Sequence, residues 1–141
     1  IGKPWLSQYW VREVSDIAFG GTDPHSGYCG EEDQGQMGAL SALMKIGLFS
    51  VRGACGAEPR YEITAPVFNE VTIQLDPNYF PGKEFKVITH NNSAKNVYIQ
   101  KATLNGKPHN SCFLPQKDFA KGGTLELWLD STPNKNWGLG H

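Results

Sequence analysis

The densest set of chemically able side chains occupies seven consecutive positions, Gly30-Glu31-Glu32-Asp33-Gln34-Gly35-Gln36: three adjacent acids closed by two carboxamides. Paired carboxylates serve general acid and base chemistry, and clustered ones also hold hard cations. The segment runs into a stretch with helical apolar spacing, so the acids also fall where a helix begins. There the unpaired backbone N–H groups and the helix dipole attract negative charge, and Asp33 reads as an N-cap. Three acids are more than a cap uses, and their mutual repulsion has to be relieved by a cation, a proton or a substrate group. Both accounts stay open on spacing alone. An EF-hand is excluded, because its alternate-position acids, its Gly and its closing Glu do not occur at that spacing.

The remaining candidates carry less. His25, His90, His109 and His141 are scattered without HxxxH or HExxH spacing, which leaves loop or surface roles. Gly20-Gly21 and Gly122-Gly123 lack the flanking residues of a phosphate-binding loop and read as turns. Cys29, Cys55 and Cys112 form no CxxC pair, so one disulfide with a thiol and three thiols are both compatible. Trp5, Trp10 and Trp128 are expected in the core, whereas Trp137, in a turn-rich tail, is undecided between the core and a sugar-stacking face. Asn91-Asn92-Ser93 matches the N-glycosylation pattern, which matters only in a protein secreted by a eukaryote.

Two helices must position the acids. Pro4, then Trp5, Leu6, Tyr9, Trp10, Val11, Val14 and Ile17, predict a helix over about 5 to 18 with a wide apolar stripe, stopped by Gly20-Gly21. Residues 20–30 are rich in turn formers. A second helix is predicted over about 33 to 46, with Met37, Leu40, Leu43, Met44 and Ile46 inward and Gly47 as its stop. Two helices cannot bury so wide a stripe between them, so residues 1–50 read as the last piece of a larger helical domain. The absence of an initiator Met at Ile1 adds the expectation of a fragment or processed chain.

Beyond Phe49 the period becomes two. Strands are predicted at 61–64, 71–75, 84–89, 97–104 and 124–129, with a two-residue hairpin at Asn105-Gly106 and a helical turn near 116–120. The expected fold class is therefore α+β. Residues 51–141 form a small antiparallel β-sandwich, with the boundary near Ser50 to Gly56. A near-balanced charge, 13 basic against 14 acidic residues, and the lack of a basic run argue against a nucleic-acid partner. No apolar run reaches the ~18 residues of a membrane span, and no membrane partner is expected.

These residues resemble the C-terminal part of glycoside hydrolase family ninety-two, the calcium-dependent exo-acting α-mannosidases. The resemblance runs through Gly2-Lys3-Pro4-Trp5 with Gln8, Val11-Arg12-Glu13-Val14, Gly27-Tyr28-Cys29-Gly30 and Glu32-Asp33-Gln34-Gly35-Gln36-Met37. It continues through Asn91-Asn92-Ser93, Asn96-Val97-Tyr98-Ile99-Gln100, Leu104-Asn105-Gly106-Lys107-Pro108, Gly122-Gly123-Thr124-Leu125 and Pro133-Asn134-Lys135-Asn136-Trp137-Gly138. The resemblance implies that residues 1–50 are terminal helices of an (α/α)6 barrel and that 51–141 are the β-sandwich element after it.

It also implies an inverting mechanism, in which two carboxyl groups about 6.5 to 9.5 Å apart act as acid and as base for water. The family's loop reads Gly-Asp-Glu-Asp-x-Gly-Gln, and its first and third acids are associated with the base. Asp33 matches the third, and Glu31 stands at the first, one methylene longer than the family's Asp. Glu32 and Gln36 are implied to lie close to substrate. The general-acid Glu and the Asn-Glu-Pro-Ser-His segment lie upstream of Ile1, which makes the upstream remainder of the protein a partner and the isolated chain inactive. Calcium is implied as cofactor, with ligands mostly outside this segment, and mannose-containing glycans, α-1,2-linked ones included, as substrate. The family has a His where Gln116 aligns. Family habit implies a periplasmic or secreted location. The competing expectation is a carbohydrate-binding or structural β-sandwich module without catalysis.

Overall fold

The structure, a computed structural model, describes residues 2–19, 21–23, 25, 27, 35–52 and 55–140. Helix α1 spans Pro4–Ile17, with Pro at its first turn, where a missing N–H costs nothing. It ends at Ala18, whose N–H bonds Val14 O, ahead of the expected Gly20-Gly21 stop. Helix α2 spans Gln36–Ile46 and stops at Gly47 as expected, with φ 79° and the Gly47 N–H shared between Leu43 O and Met44 O. Its start differs from the prediction. The N-cap is Gly35 at φ 69°, not Asp33, because a residue without Cβ takes the left-handed entry at little cost.

Eight strands follow: β1 (Leu48–Phe49), β2 (Arg60–Ile63), β3 (Glu70–Gln74), β4 (Glu84–His90), β5 (Tyr98–Leu104), β6 (Lys107–Pro108), β7 (Phe113–Pro115) and β8 (Gly123–Asp130). A short helix α3, Gln116–Phe119, precedes β8. The strands form a three-stranded sheet in the order β1-β2-β7 and a five-stranded sheet in the order β3-β4-β8-β5-β6. All pairings are antiparallel except β4 with β8, which is parallel from Phe85↔Gly123 to His90↔Trp128. The expectation of a purely antiparallel sandwich is thus corrected to a mixed sheet. Period-two alternation reports which face is buried and is the same for either strand direction. The Asn105-Gly106 hairpin forms as predicted, with φ 52° and 76° and Leu104 opposite Lys107.

One apolar core joins the two sheets. Phe85, Val87, Leu125, Leu127, Leu129, Ile99 and Ala102 from the larger sheet meet Leu48, Ile63 and Leu114 from the smaller, with Phe119 and Trp137 completing it. Each such large side chain removed from water contributes about 1.5–3 kcal/mol. Trp137 is therefore a core residue, and its indole N–H donates to His109 O at 3.1 Å. Two expected core aromatics lie elsewhere. Trp128 points to the wet face of β8, stacked on His90 with Lys101 over its ring. Trp10 is 59% exposed.

Trp10 belongs to an inverted helix. Along α1 the buried positions are Gln8, Val11, Arg12 and Ser15, whereas Leu6, Trp10, Val14 and Ile17 face outward. Polar groups face the sandwich, and an apolar stripe at helical spacing faces away from it. A second small cluster, Val11, Phe19 and Met44 with Ala18, Met37, Leu40 and Phe49, packs α1 on α2. None of the described helices is long and apolar enough to cross a membrane.

Candidate active site

Glu31, Glu32 and Asp33 lie outside the described residues, so the structure shows the frame on either side of them. Downstream, Gly35 turns the chain into α2, and Gln36, exposed, is its first residue. Upstream, Phe19 is buried against Val11 and Met44, and its carbonyl accepts a 2.9 Å hydrogen bond from Lys45 Nζ near the far end of α2. Asp23 Oδ1 accepts the His25 N–H at 2.9 Å, a local turn of the kind expected for this segment.

The frame is tied to the sheets by polar contacts. Gln8 Oε1 accepts the buried Ile99 N–H at 2.9 Å, which fixes α1 beside β5. One turn on, the Arg12 guanidinium donates to Pro66 O, to Asn92 Oδ1 at 3.3 Å and, at the distance limit, to Ala65 O at 3.5 Å. Asn92 Nδ2 donates to Pro66 O and Phe68 O at 3.2 and 2.9 Å. Burial pushes the Arg12 pKa down from its ordinary value, partly offset by Asp16. A guanidinium keeps its charge at neutral pH.

Helix α2 meets the same stretch of chain. Thr64 N–H donates to Gly47 O and Val67 N–H to Lys45 O, both at 2.9 Å. A Cβ at Gly47 would lie 2.6 Å from Thr64 O, so glycine is required there for close approach as well as for its φ. Gln8, Arg12 and Asn92 entered the sequence reading only as members of matching segments. For Gln8 and Arg12 the signal available was their i, i+4 spacing, which puts both side chains on one face of α1.

Among the described residues no group of three or more His, Cys, Asp or Glu side chains could hold a metal ion. The described residues thus do not fit a calcium site, and no chemical step is derived through one. A pocket of about 880 Å3 lies beside β2, β7 and α3, with Arg60, His109, Phe113 and Lys117 in its wall. Among the described residues, its wall draws none from α1 or α2. Gln116 opens α3 and donates its N–H to Pro59 O at 2.9 Å. Asn91, at φ 62°, donates from Nδ2 to Leu129 O, and Ser93 Oγ accepts the Asn96 N–H, so the glycosylation-like triplet forms a turn.

The family model "Glycosyl hydrolase family 92 catalytic domain" matches residues 1–131. The chain belongs to this family. The family 92 chain is 37% identical, over 141 residues and 99% of its length, to a protein of Arthroderma benhamiae described as an uncharacterized secreted glycosidase. Among solved structures, the family GH92 inverting mannosidase of Bacteroides thetaiotaomicron VPI-5482 superposes with a TM-score of 0.83 at 38% identity over 99% of the chain. A family GH92 α-mannosidase of Bacteroides thetaiotaomicron, solved also with mannoimidazole, gives 0.84 at 27% identity over 97%. The family 92 chain spans less than a fifth of these relatives: 17% of the Arthroderma protein and 18% and 17% of the two mannosidases.

Proposed function

We propose that this chain is the C-terminal segment of an inverting, calcium-dependent exo-α-mannosidase that removes α-linked mannose from glycans, and that it supplies the loop carrying the general base. The observation that carries this reading is the placement of the acids. In a family 92 chain, they directly precede α2 at Gln36, and both flanking helices are tied to the sandwich. Residues 1–50 are assigned to the end of the helical barrel, and 51–141 to the sandwich beside it. The exposed Leu6, Trp10, Val14 and Ile17 give the upstream barrel helices an apolar face to cover.

In this reading Asp33 accepts the proton of a water as its oxygen bonds to C1 of the terminal mannose. The C1–O glycosidic bond breaks, and an acid from the upstream part of the protein protonates the leaving oxygen, giving β-mannose. Glu31 shares the work of holding the water, while Glu32 and Gln36 line the approach to the sugar. Calcium would be held by ligands mostly outside this segment and would supply Lewis-acid polarisation of the sugar hydroxyls. A periplasmic or secreted location accords with the secreted relative.

The test is hydrolysis of an α-1,2-linked mannobiose by the full-length protein with calcium, followed by proton NMR. β-Mannose as the first product supports the reading. α-Mannose as the first product defeats the inverting mechanism, and no mannose from folded, calcium-loaded protein defeats the mannosidase assignment.

A further inference from the structure

The segment joining β2 to β3, Thr64-Ala65-Pro66-Val67-Phe68, is bonded to a different helix on each side of its backbone. Its N–H groups at Thr64 and Val67 reach the α2 end, at Gly47 O and Lys45 O. Its carbonyls at Ala65 and Pro66 accept from Arg12 of α1. The two helices that flank the acidic segment therefore meet at a single strap, and Thr64, Ala65 and Pro66 are buried there.

Arg12 makes the α1 half of this joint in an unusual way. It is 8% exposed, its acceptors are two carbonyls and a carboxamide oxygen, and its Nε has no partner. Burying a guanidinium whose hydrogen bonds go to no carboxylate is costly, and an apolar side chain of similar volume would attach a helix to a sandwich at less cost. Apolar contact is non-directional, however, so a helix held by it alone can slide or rotate by fractions of a turn. A guanidinium has fixed donor directions. Asn92 reinforces them, because its Nδ2 is bonded to Pro66 O and Phe68 O and its Oδ1 is thereby turned to Arg12.

We propose that Arg12 is a positioning residue for the acidic segment 30–36. It sets α1 on the strap that also holds α2, and so fixes the two helices between which the acids stand in the sequence. This inference rests on the base-loop reading above. Arg12 acts through the seating of α1 on Ala65, Pro66 and Asn92 and does not touch substrate.

The test compares full-length wild type with Arg12→Met, Arg12→Lys and, as a core control whose ring packs on Tyr61, Phe80 and Phe85 rather than on the strap, Phe119→Ala. Two readouts are taken at a temperature where circular dichroism shows each protein folded: kcat and KM on the mannobiose, and hydrogen exchange of the peptide covering 30–40. Since an ångström of misplacement can cost about 100-fold, Arg12→Met should lower kcat by about 10- to 100-fold, with KM within about threefold. It should also speed exchange in 30–40 by about tenfold, with Arg12→Lys intermediate because it keeps the charge and loses the fork. Phe119→Ala should lower the melting temperature and leave both readouts near wild type. Wild-type kcat and exchange in folded Arg12→Met would overturn the proposal. If Arg12→Met does not fold, Arg12→Lys decides on the same two readouts. If wild type itself releases no mannose, the base-loop reading fails, and the exchange readout alone decides whether Arg12 positions the segment.

Discussion

Gly138 closes directly on Pro4. A Cβ at residue 138 would lie 3.0 Å from Pro4 Cγ and 3.1 Å from Cys112 Cβ, and Gly138 has a φ of 85°. The tail segment around Trp137 and the segment that starts α1 are thus one contact, although they stand at opposite ends of the sequence. Gly138→Ala forces both a left-handed alanine and a displacement of Pro4. It is expected to destabilise the protein by about 1–3 kcal/mol, read as a lower denaturation midpoint at unchanged slope. A midpoint equal to that of wild type would show that the ends do not meet in this way.

Asp33→Asn in the full-length protein removes the group that takes the proton from water while keeping its size. The expected loss in kcat is about 10²- to 10⁴-fold with little change in KM, and Glu31→Gln should cost less. Steady-state kinetics on the mannobiose checks both. Unchanged turnover in Asp33→Asn would return the acids to the role of helix-end charges.

The outward stripe on α1 makes a prediction about burial in the whole protein. Ile17 is 79% exposed here, and a charge at such a position would ordinarily change stability by no more than about 0.5 kcal/mol. If upstream helices cover the stripe, Trp10→Glu with Ile17→Glu buries unpaired charge and lowers the melting temperature of the full-length protein by many degrees. An unmoved melting temperature would leave the stripe in water.

Cys112 is half-buried, and burial pushes its thiol pKa up from the ordinary 9.0. Burial raises Tyr61 in the same direction, from 10.0. For both groups the folded state holds its proton more tightly than the unfolded state. Their stabilising effect is therefore complete below the ordinary thiol value and is lost as the pH rises through the folded-state values. Stability is expected to fall on the alkaline side, from about pH 9 upward, a fall that Cys112→Ala should reduce. At pH 8, iodoacetamide should label exposed Cys55 well before Cys112, as peptide mass spectrometry would show.

The elements legible in the sequence were those with a long enough period. β4 and β8 each alternate over seven or eight residues, and α1 and α2 show helical spacing, so all four lie close to where they were expected. Strands β1 and β6, at two residues, and β7, at three, are too short to show any period, and only their partners define them. The acids were legible as chemistry, and the site's supports were not. Arg12 resembles any surface arginine until Pro66 and Asn92, more than fifty residues away, are folded against it. Trp10, expected in the core, is exposed, and Trp137, left undecided, is buried, for a related reason: residue type gives the tendency to be buried, but the packing of α1 and of the tail decides which indole is covered.

The parallel pairing of β4 with β8 also bears on the order of assembly. Of the described strands β8 is the last to leave the ribosome, yet it lies in the middle of the five-stranded sheet, hydrogen-bonded to β4 on one side and β5 on the other. Until it arrives, the β3–β4 and β5–β6 hairpins face each other across a gap with unpaired inner edges, the state most open to pairing with a neighbouring nascent chain. The sandwich therefore forms only after synthesis has passed Asp130, and a premature stop before Gly123 removes the central strand and leaves two unjoined hairpins.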